Sequence, residues 1–260
     1  MTRVLVFGAL GRMGERVRAA VAAEPEVRLG AALEAPGHPR LGATLEDGVR
    51  VTDDLAAGLD AADVAIAFAL PAATLRLVRA AAERGLPCAV GTTGFEEAER
   101  AELARLAEKL PLVVAANFSV AVNVLRFLTR RAAELLGPAY DAEIVELHHA
   151  AKLDAPSGTA LELAAAIAEA RGERLSERQV LARQGQTGAR SPGAIGIQSL
   201  RGGDNPGEHT VLFIGPGERL ELAHRAATRD HFARGALRAA LWLRGRAPGI
   251  YGMEQVLGLR

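Results

Sequence analysis

A glycine-rich turn directly after the first apolar segment constrains the fold of this chain more than any other feature. The apolar segment Arg3–Phe7 is followed by Gly8, Gly11 and Gly14, and Arg12–Ala23 has helical spacing. In such a strand–turn–helix unit, the glycines permit a tight turn, a close approach of pyrophosphate and close packing of the helix. The spacing G-x-x-G-x-x-G is a variant of the dinucleotide fingerprint, so an ordinary turn with incidental glycines remains the alternative.

Strands and helices alternate through the first half of the chain. This alternation predicts a parallel, doubly wound sheet. The predicted strands are Arg3–Phe7, Val27–Leu33, Val49–Thr52, Asp63–Phe68, Pro87–Val90 and Leu112–Ala116, and the predicted helices are Arg12–Ala23, Pro71–Arg84 and Glu96–Leu110.

The pattern changes after Asn117, where strands follow one another without helices between them. Such a succession predicts an antiparallel or mixed sheet. We predict helices at Val120–Leu136, Gly158–Ala170 and Asp230–Arg244, a last turn at Met253–Leu257, strands at Asp141–His148, Ala194–Leu200, His209–Ile214 and Arg219–Ala226, and irregular structure at 171–190. The predicted fold class is therefore α/β, with a Rossmann-type dinucleotide-binding domain at 1–119 and 229–260 and an α+β substrate domain at 120–228.

Composition excludes several classes of function. Lys plus Arg and Asp plus Glu are both 31, so the chain has no net charge to attract nucleic acid or an anionic membrane. Apolar segments such as Val64–Leu70 are too short to span a bilayer, and because Met-Thr-Arg leads directly into the first predicted strand, we expect no signal peptide. The single cysteine, Cys88, excludes a disulfide framework and is predicted to be a core residue. We expect a cytoplasmic protein.

Two further segments extend the predicted nucleotide site. Glu34 follows Gly14 by twenty residues, at the end of the second predicted strand, where a carboxylate can accept hydrogen bonds from ribose hydroxyls. A simple loop charge is the alternative. Gly91, Thr92 and Thr93 follow another strand at its carboxyl end and are predicted to contact the nicotinamide. An ordinary turn with capping threonines is the alternative.

The segment from Glu146 to Ala160 carries the predicted chemistry. His148 and His149 precede Lys152, which is one of only two lysines among the 31 basic residues. A histidine can donate a proton near neutral pH, and a lysine can hold a carboxylate or donate a second proton. The free N–H groups of the helix that begins near Ser157, Gly158 and Thr159 favour a carboxylate of a small anionic substrate.

Two alternatives apply to this segment. The first is that Asp154 or Ser157 is simply the helix N-cap. Paired histidines can also indicate zinc, but adjacent histidines on a strand do not easily converge on one metal, and the sequence places no third ligand beside them. We therefore predict no metal.

In these motifs the chain resembles the dihydrodipicolinate reductases, more fully 4-hydroxy-tetrahydrodipicolinate reductases, of the diaminopimelate–lysine pathway. The resemblance covers essentially the whole chain. It is carried by Gly8–Gly14 with Arg12-Met13, Glu34, Gly91–Gly94, Asn117-Phe118-Ser119, the 146–160 segment, and Arg201-Gly-Gly-Asp204 leading to Gly207-Glu208-His209-Thr210.

The resemblance implies roles for individual residues. His148 would be the acid–base residue and Lys152 the second proton donor, while His149, Gly158 and Thr159 would contact a dicarboxylate substrate. Our own interpretation of the helix start adds Ser157 to these substrate contacts. NADH or NADPH would be bound by Gly8, Ala9, Leu10, Gly11, Arg12, Met13, Glu34, Gly91, Thr92, Thr93, Ala115, Ala116, Asn117 and Phe118. The family resemblance also implies a homotetramer assembled through the substrate domain.

The chain differs from the family pattern at two positions, and two other functions are alternatives to that of the family. Ala35 stands where many members have arginine, and Ala121 replaces a frequent glycine. A semialdehyde dehydrogenase would need a cysteine nucleophile in its substrate domain, whereas Cys88 belongs to the predicted nucleotide domain. A non-catalytic NAD-binding sensor would have no need of Lys152 beside two histidines.

From the sequence we predict that NADH is used at least as well as NADPH. Glu34 places a carboxylate near the expected 2′-position of the adenosine, where it repels a phosphate, and Ala35 offers no compensating charge. The basic residues His38 and Arg40 lie in a loop constrained by prolines. The Ala35→Arg variant should shift the preference towards NADPH, mainly through KM, as measured by kcat/KM for both cofactors at low ionic strength. A wild-type preference for NADPH of about tenfold, about 1.4 kcal/mol, would contradict this prediction.

Overall fold

The computed structural model describes residues 1–45 and 48–259, within which the chain forms twelve β-strands and nine α-helices. The strands are β1 (Thr2–Phe7), β2 (Val27–Leu33), β3 (Val51–Thr52), β4 (Val64–Ala67), β5 (Cys88–Val90), β6 (Pro111–Val114), β7 (Asp141–His148), β8 (Gln179–Val180), β9 (Ile195–Arg201), β10 (Glu208–Gly215), β11 (Glu218–Arg225) and β12 (Gly249–Tyr251). The helices are α1 (Arg12–Ala22), α2 (Leu55–Asp60), α3 (Pro71–Ala82), α4 (Glu97–Leu106), α5 (Val120–Leu136), α6 (Gly158–Ala170), α7 (Leu175–Arg178), α8 (Asp230–Leu243) and α9 (Met253–Leu257), and a 3₁₀ turn spans Gly137–Ala139.

The chain divides into two units, one of Met1–Val120 together with the segment from Asp230 onward, and the other of Ala121–Arg229. The first unit holds a seven-stranded sheet in the order β12-β6-β5-β4-β1-β2-β3, and every neighbouring pair is parallel. The predicted Rossmann-type parallel sheet is confirmed. Glu46, Asp47 and Arg260 of the predicted nucleotide domain lie outside the described residues.

Both faces of this sheet are covered, which explains why its central strands are apolar without alternation. In β4, Val64 and Ile66 join the core cluster that contains residues of α1 and α8, whereas Ala65 and Ala67 join the cluster that contains residues of α3 and α4. All four residues of β4 are fully buried. A strand covered on both faces has no solvent face for polar side chains, as is usual in parallel sheets.

The second unit holds a five-stranded sheet in the order β11-β10-β7-β9-β8. The β10–β11 and β10–β7 pairs are antiparallel, and the β7–β9 and β8–β9 pairs are parallel, so the sheet is mixed. Parallel neighbours require a crossover connection, and α6 lies in the connection between β7 and β9. The core of the unit packs side chains of α6, such as Leu163 and Ile167, against Ile144, Val211 and Phe213 of the sheet.

Four short elements were missed by the sequence prediction. Helix α2 is capped by the Asp54 side chain, which accepts a hydrogen bond from the backbone N–H of Ala57 at 3.0 Å. Strand β12 pairs with β6, and α7 and β8 lie in the segment predicted to be irregular. Elements of two to six residues are too short to show a periodicity, so tertiary pairing decides them.

The α4 boundary was also predicted wrongly, since the helix ends at Leu106 and not at Leu110. The predicted core position of Cys88 is confirmed, because its thiol is fully buried and burial raises its pKa to about 12. A thiol with so high a pKa is a poor nucleophile. Within the described ranges, none of the helices combines the length and apolar character needed to cross a membrane.

Candidate active site

The first turn of the nucleotide domain depends on close packing between two glycines. Gly8, which follows β1, has a φ of +79°, and a Cβ atom at Gly14 would lie 2.0 Å from the carbonyl oxygen of Gly8. Any side chain at position 14 would therefore push α1 away from the turn. Gly11 is the N-cap of α1 and, lacking a side chain, leaves the first-turn N–H groups of the helix for an external anion.

A cavity of about 310 Å³ opens where β1, β2, β3 and β4 end. Its position at the carboxyl ends of parallel strands is where open α/β sheets bind ligands. The lining residues come from the turns after these four strands and from α2 and α3: Phe7, Gly8, Gly11, Glu34, Ala35, Pro36, Asp53, Leu55, Phe68, Ala69, Leu70, Ala73 and Arg76.

Glu34 connects this cavity to the glycine-rich turn. One carboxylate oxygen accepts a hydrogen bond from the backbone N–H of Leu10 at 3.0 Å, and the other accepts one from the N–H of Ala35 at 3.1 Å. Each carboxylate oxygen has a further lone pair, so the group can hold the turn and still accept a ligand hydroxyl. The predicted residues Gly8, Gly11 and Glu34 therefore meet at one cavity.

The other predicted residues of the turn occupy different environments. Ala9 is fully buried, Met13 packs against the adjoining core cluster, and Arg12 is exposed at the start of α1. Sequence reasoning did not predict the basic residue that lines this cavity, which is Arg76. His38 and Arg40 are absent from the described lining residues, whereas Arg76 of α3 is present.

Two predicted nicotinamide contacts have buried side chains. The Thr92 hydroxyl is hydrogen-bonded to that of Thr74 at 2.7 Å and accepts a bond from the Ala69 N–H at 3.4 Å. The Phe118 ring is 1% exposed and packs edge-on against Phe68, with 6.0 Å between ring centres. These two side chains support the loops at the ends of the strands, whereas Thr93 and Ala116 are exposed and Gly91, Ala115 and Asn117 are partly exposed.

In the second unit, a buried carboxylate organises the predicted catalytic segment. Glu146 and His148 point to the same face of β7, and Glu146 Oε2 lies 2.5 Å from His148 Nδ1. The Glu146 side chain is 0% exposed and receives two 2.9 Å hydrogen bonds from the Arg201 guanidinium. The same guanidinium donates to the carbonyl oxygen of Asp154 at 2.7 Å, which ties β9 to the segment before α6.

The ionisation of this pair follows from its surroundings. Burial opposes the charge of Glu146, but hydrogen bonds from Arg201, Ser199, His148 and the Ser157 backbone lower its pKa to about 2. Burial lowers the pKa of His148, and the bond to Glu146 only partly counteracts this. A neutral His148 therefore carries its proton on Nδ1, towards the carboxylate, and presents the lone pair of Nε2.

The start of α6 is joined to the same carboxylate. The Ser157 N–H donates to Glu146 Oε1 at 3.1 Å, and the Ser157 hydroxyl accepts from the Ala160 N–H at 3.2 Å, which makes Ser157 the N-cap. This hydroxyl also lies 3.1 Å from Nε2 of His209, a buried ring whose pKa burial lowers to about 3. Gly158, by contrast, is exposed at the helix start.

Lys152 and Asp154 form an ion pair beside this helix start. The ammonium nitrogen lies 2.8 Å from each carboxylate oxygen of Asp154. Of the two N-cap candidates, Ser157 therefore caps α6, while Asp154 holds the lysine and its own pKa is lowered by that hydrogen bond. The Lys152 side chain is 19% exposed, and His149 is partly exposed at the end of β7.

Sequence reasoning assigned no role to Glu146, Arg201 or His209 in supporting the site. Arg201 lies 55 residues from Glu146, and His209 lies 52 residues from Ser157, so only strand pairing brings them together. The single local pattern was the Glu146–His148 spacing, which puts both residues on one face of a strand. The described residues contain no group of three His, Cys, Asp or Glu side chains that is able to hold a metal ion.

Comparison with known proteins gives a consistent result over the whole chain. The family models described as dihydrodipicolinate reductase, N-terminus, and dihydrodipicolinate reductase, C-terminus, match residues 2–118 and 121–257. A 4-hydroxy-tetrahydrodipicolinate reductase of Anaeromyxobacter dehalogenans strain 2CP-C is 49% identical, covering 100% of this chain and 99% of the relative. The enzyme of that name from Thiobacillus denitrificans is also 49% identical, covering 99% of both chains.

Solved structures agree with these relatives. A dipicolinate-bound dihydrodipicolinate reductase from Paenisporosarcina sp. TG-14 matches with a TM-score of 0.81 and 28% identity, covering 97% of both chains. A myo-inositol dehydrogenase from Corynebacterium glutamicum matches with a TM-score of 0.60 and 16% identity, covering 99% of this chain and 92% of the other. At that identity the second likeness shows only the fold.

Gly207 should be required for access to the ring of His148. Its φ is +148°, and a Cβ at this position would lie 2.9 Å from His148 Nε2. We expect Gly207→Ala to lower kcat/KM at least tenfold, because the methyl group covers Nε2 and the backbone must change. Gly202→Ala is the matched control, since its Cβ would meet nothing within 4 Å. Steady-state kinetics check the prediction, and wild-type values in Gly207→Ala would contradict it.

Proposed function

Because the chain belongs to the dihydrodipicolinate reductase family and reduces 4-hydroxy-tetrahydrodipicolinate to tetrahydrodipicolinate in lysine and diaminopimelate biosynthesis, we propose that His148 is its acid–base residue. The observation that carries this proposal is the 2.5 Å contact between His148 Nδ1 and the buried Glu146 carboxylate. A carboxylate on one ring nitrogen orients the imidazole and leaves the other nitrogen for proton transfer.

The side chains of the protein then contribute the transfer of one proton to the reaction. The nicotinamide nucleotide supplies a hydride when bound. Nε2 of His148 takes a proton from solvent and gives it to the substrate, while Nδ1–H stays on the ring and remains hydrogen-bonded to Glu146. Glu146 itself stays ionised, because its pKa of about 2 lies far below that of an imidazolium.

We propose that the dicarboxylate is held by Lys152 and by the start of α6 at Gly158 and Thr159. Gly158 and its N–H lie in the first turn, where the helix dipole favours an anion. The Lys152 ammonium already binds the carboxylate of Asp154, so it is oriented to bind a carboxylate. A substrate carboxylate would share the ammonium with Asp154 or replace Asp154. Dipicolinate, the ligand named for the Paenisporosarcina relative, is a dicarboxylate and supports this assignment.

The cavity of the first unit fits a nicotinamide nucleotide. The uncapped start of α1 suits the pyrophosphate, and Glu34 suits the adenosine ribose hydroxyls. The wall formed by Leu55, Leu70 and Ala73 suits an apolar base. We propose that NADH and NADPH both bind there, with NADH used at least as well.

We also propose a homotetramer that assembles through the second sheet. Leu200 of β9 and Ile214 of β10 are 52% and 40% exposed, and both lie on the face opposite the core residues Val211 and Phe213. An apolar face on a sheet favours burial against another copy of the chain. Light scattering should give four times the chain mass of 27.2 kDa.

The His148→Gln variant should lose about 10²–10⁴-fold in kcat, the usual contribution of a general acid, while KM changes little. Glutamine can still donate to Glu146, so the fold should be retained, which thermal unfolding would check. A His148→Gln variant with near-native kcat would exclude His148 from the mechanism.

In the wild type, kcat/KM should fall as the pH rises through a midpoint below the ordinary 6.5, because the donor must be protonated and burial lowers its pKa.

The Lys152→Arg variant should not preserve activity, even though arginine supplies nearly all other cations of this chain. Guanidinium is larger and planar and does not give up its proton, so it cannot replace a compact ammonium beside Asp154. We expect at least a tenfold loss of kcat/KM. Lys109→Arg, at the only other lysine, is the matched control. Near-native kinetics in Lys152→Arg would show that positive charge alone is sufficient.

A further inference from the structure

The nucleotide cavity has an uneven distribution of charge. Its described lining residues include two carboxylates, Glu34 and Asp53, and one basic side chain, Arg76. Arg76 lies on α3 one turn after Ala73, which also lines the cavity, so the two residues share one face of the helix. Ala73 is small and leaves the space in front of this face to the arginine side chain.

We propose that Arg76 is a specificity-determining residue that allows a 2′-phosphorylated nucleotide to bind beside Glu34. The proposal rests on the assignment of this cavity to the nicotinamide nucleotide. The sequence alone pointed to position 35 or to the His38–Arg40 loop for such a cation. Ala35 is uncharged, and the described cavity wall includes neither His38 nor Arg40.

The argument for Arg76 is electrostatic. A 2′-phosphate brings negative charge to a site that already contains Glu34 and Asp53, and like charges at close range disfavour binding. Guanidinium remains charged at all relevant pH values and can bind two phosphate oxygens at once. NADH carries only a hydroxyl at the 2′-position, and its binding therefore does not require this cation.

Arg79, the next arginine of α3, has a different environment from Arg76. Arg79, one turn further along α3, is bound to Glu102 through two hydrogen bonds of 2.6 and 2.8 Å. Arg79 is absent from the described lining residues of the cavity. The two arginines therefore provide a matched pair on one helix, one facing the cavity and the other held by a carboxylate.

The test is equilibrium binding of NADH and NADPH, without substrate, by titration calorimetry at low ionic strength. We expect Arg76→Gln to raise the Kd for NADPH at least tenfold and the Kd for NADH less than twofold. Arg79→Gln should change neither. In the wild type, added salt should weaken NADPH binding more than NADH binding, because an exposed phosphate contact is screened. Adding Ala35→Arg to Arg76→Gln should restore NADPH binding.

Three results would overturn the role of Arg76. These are an unchanged Kd for both nucleotides, an equal loss for both, which would indicate stacking on the adenine, and a loss confined to NADH. Ala73→Phe, which fills the cavity, tests the site itself and should abolish binding of both nucleotides. Normal binding by Ala73→Phe would reject the cavity as the nucleotide site, which is a failure of the proposed function and not only of Arg76.

Discussion

The buried carboxylate of Glu146 is the charge around which the 146–160 segment is organised. Removing a carboxylate from water costs several kcal/mol unless other groups compensate for it. Here the compensation comes from three parts of the chain: the Arg201 guanidinium from β9, the His148 ring from β7 and the Ser157 N–H at the start of α6. Loss of any one of these donors leaves the buried charge less well compensated. The end of β7, the end of β9 and the start of α6 are consequently held in one arrangement.

The same interaction sets the chemistry of His148. A carboxylate that stays ionised keeps the imidazole proton on Nδ1, and burial keeps the ring neutral at neutral pH. His148 Nε2 lies close to the backbone of Gly207, where a Cβ atom would come within 2.9 Å of the nitrogen. Glu146 and the proposed acid–base ring are therefore two parts of one network, in which burial of the ring lowers its pKa and the bond to Glu146 raises it.

Glu34 has a comparable double role in the nucleotide unit. Its carboxylate accepts the Leu10 N–H of the glycine-rich turn and also faces the cavity. A residue that supports the turn cannot easily be exchanged for a cation to favour a phosphorylated nucleotide. A compensating positive charge must therefore come from another position, and among the described lining residues Arg76 of α3 carries one.

The sequence by itself determined the two-sheet fold, the glycine-rich turn at Gly8–Gly14 and the segment that contains His148 and Lys152, because these are local patterns of glycine, apolar and helical spacing. Short elements such as α2 and β12 had too few residues to show a period. Only the tertiary structure decided that Arg201 and His209 reach the 146–160 segment, that Thr92 and Phe118 turn inward, and that Arg76 rather than Arg40 lines the described cavity of the first unit. Such contacts join residues far apart in the chain, and their pairing depends on strand register and helix packing, which local spacing does not encode.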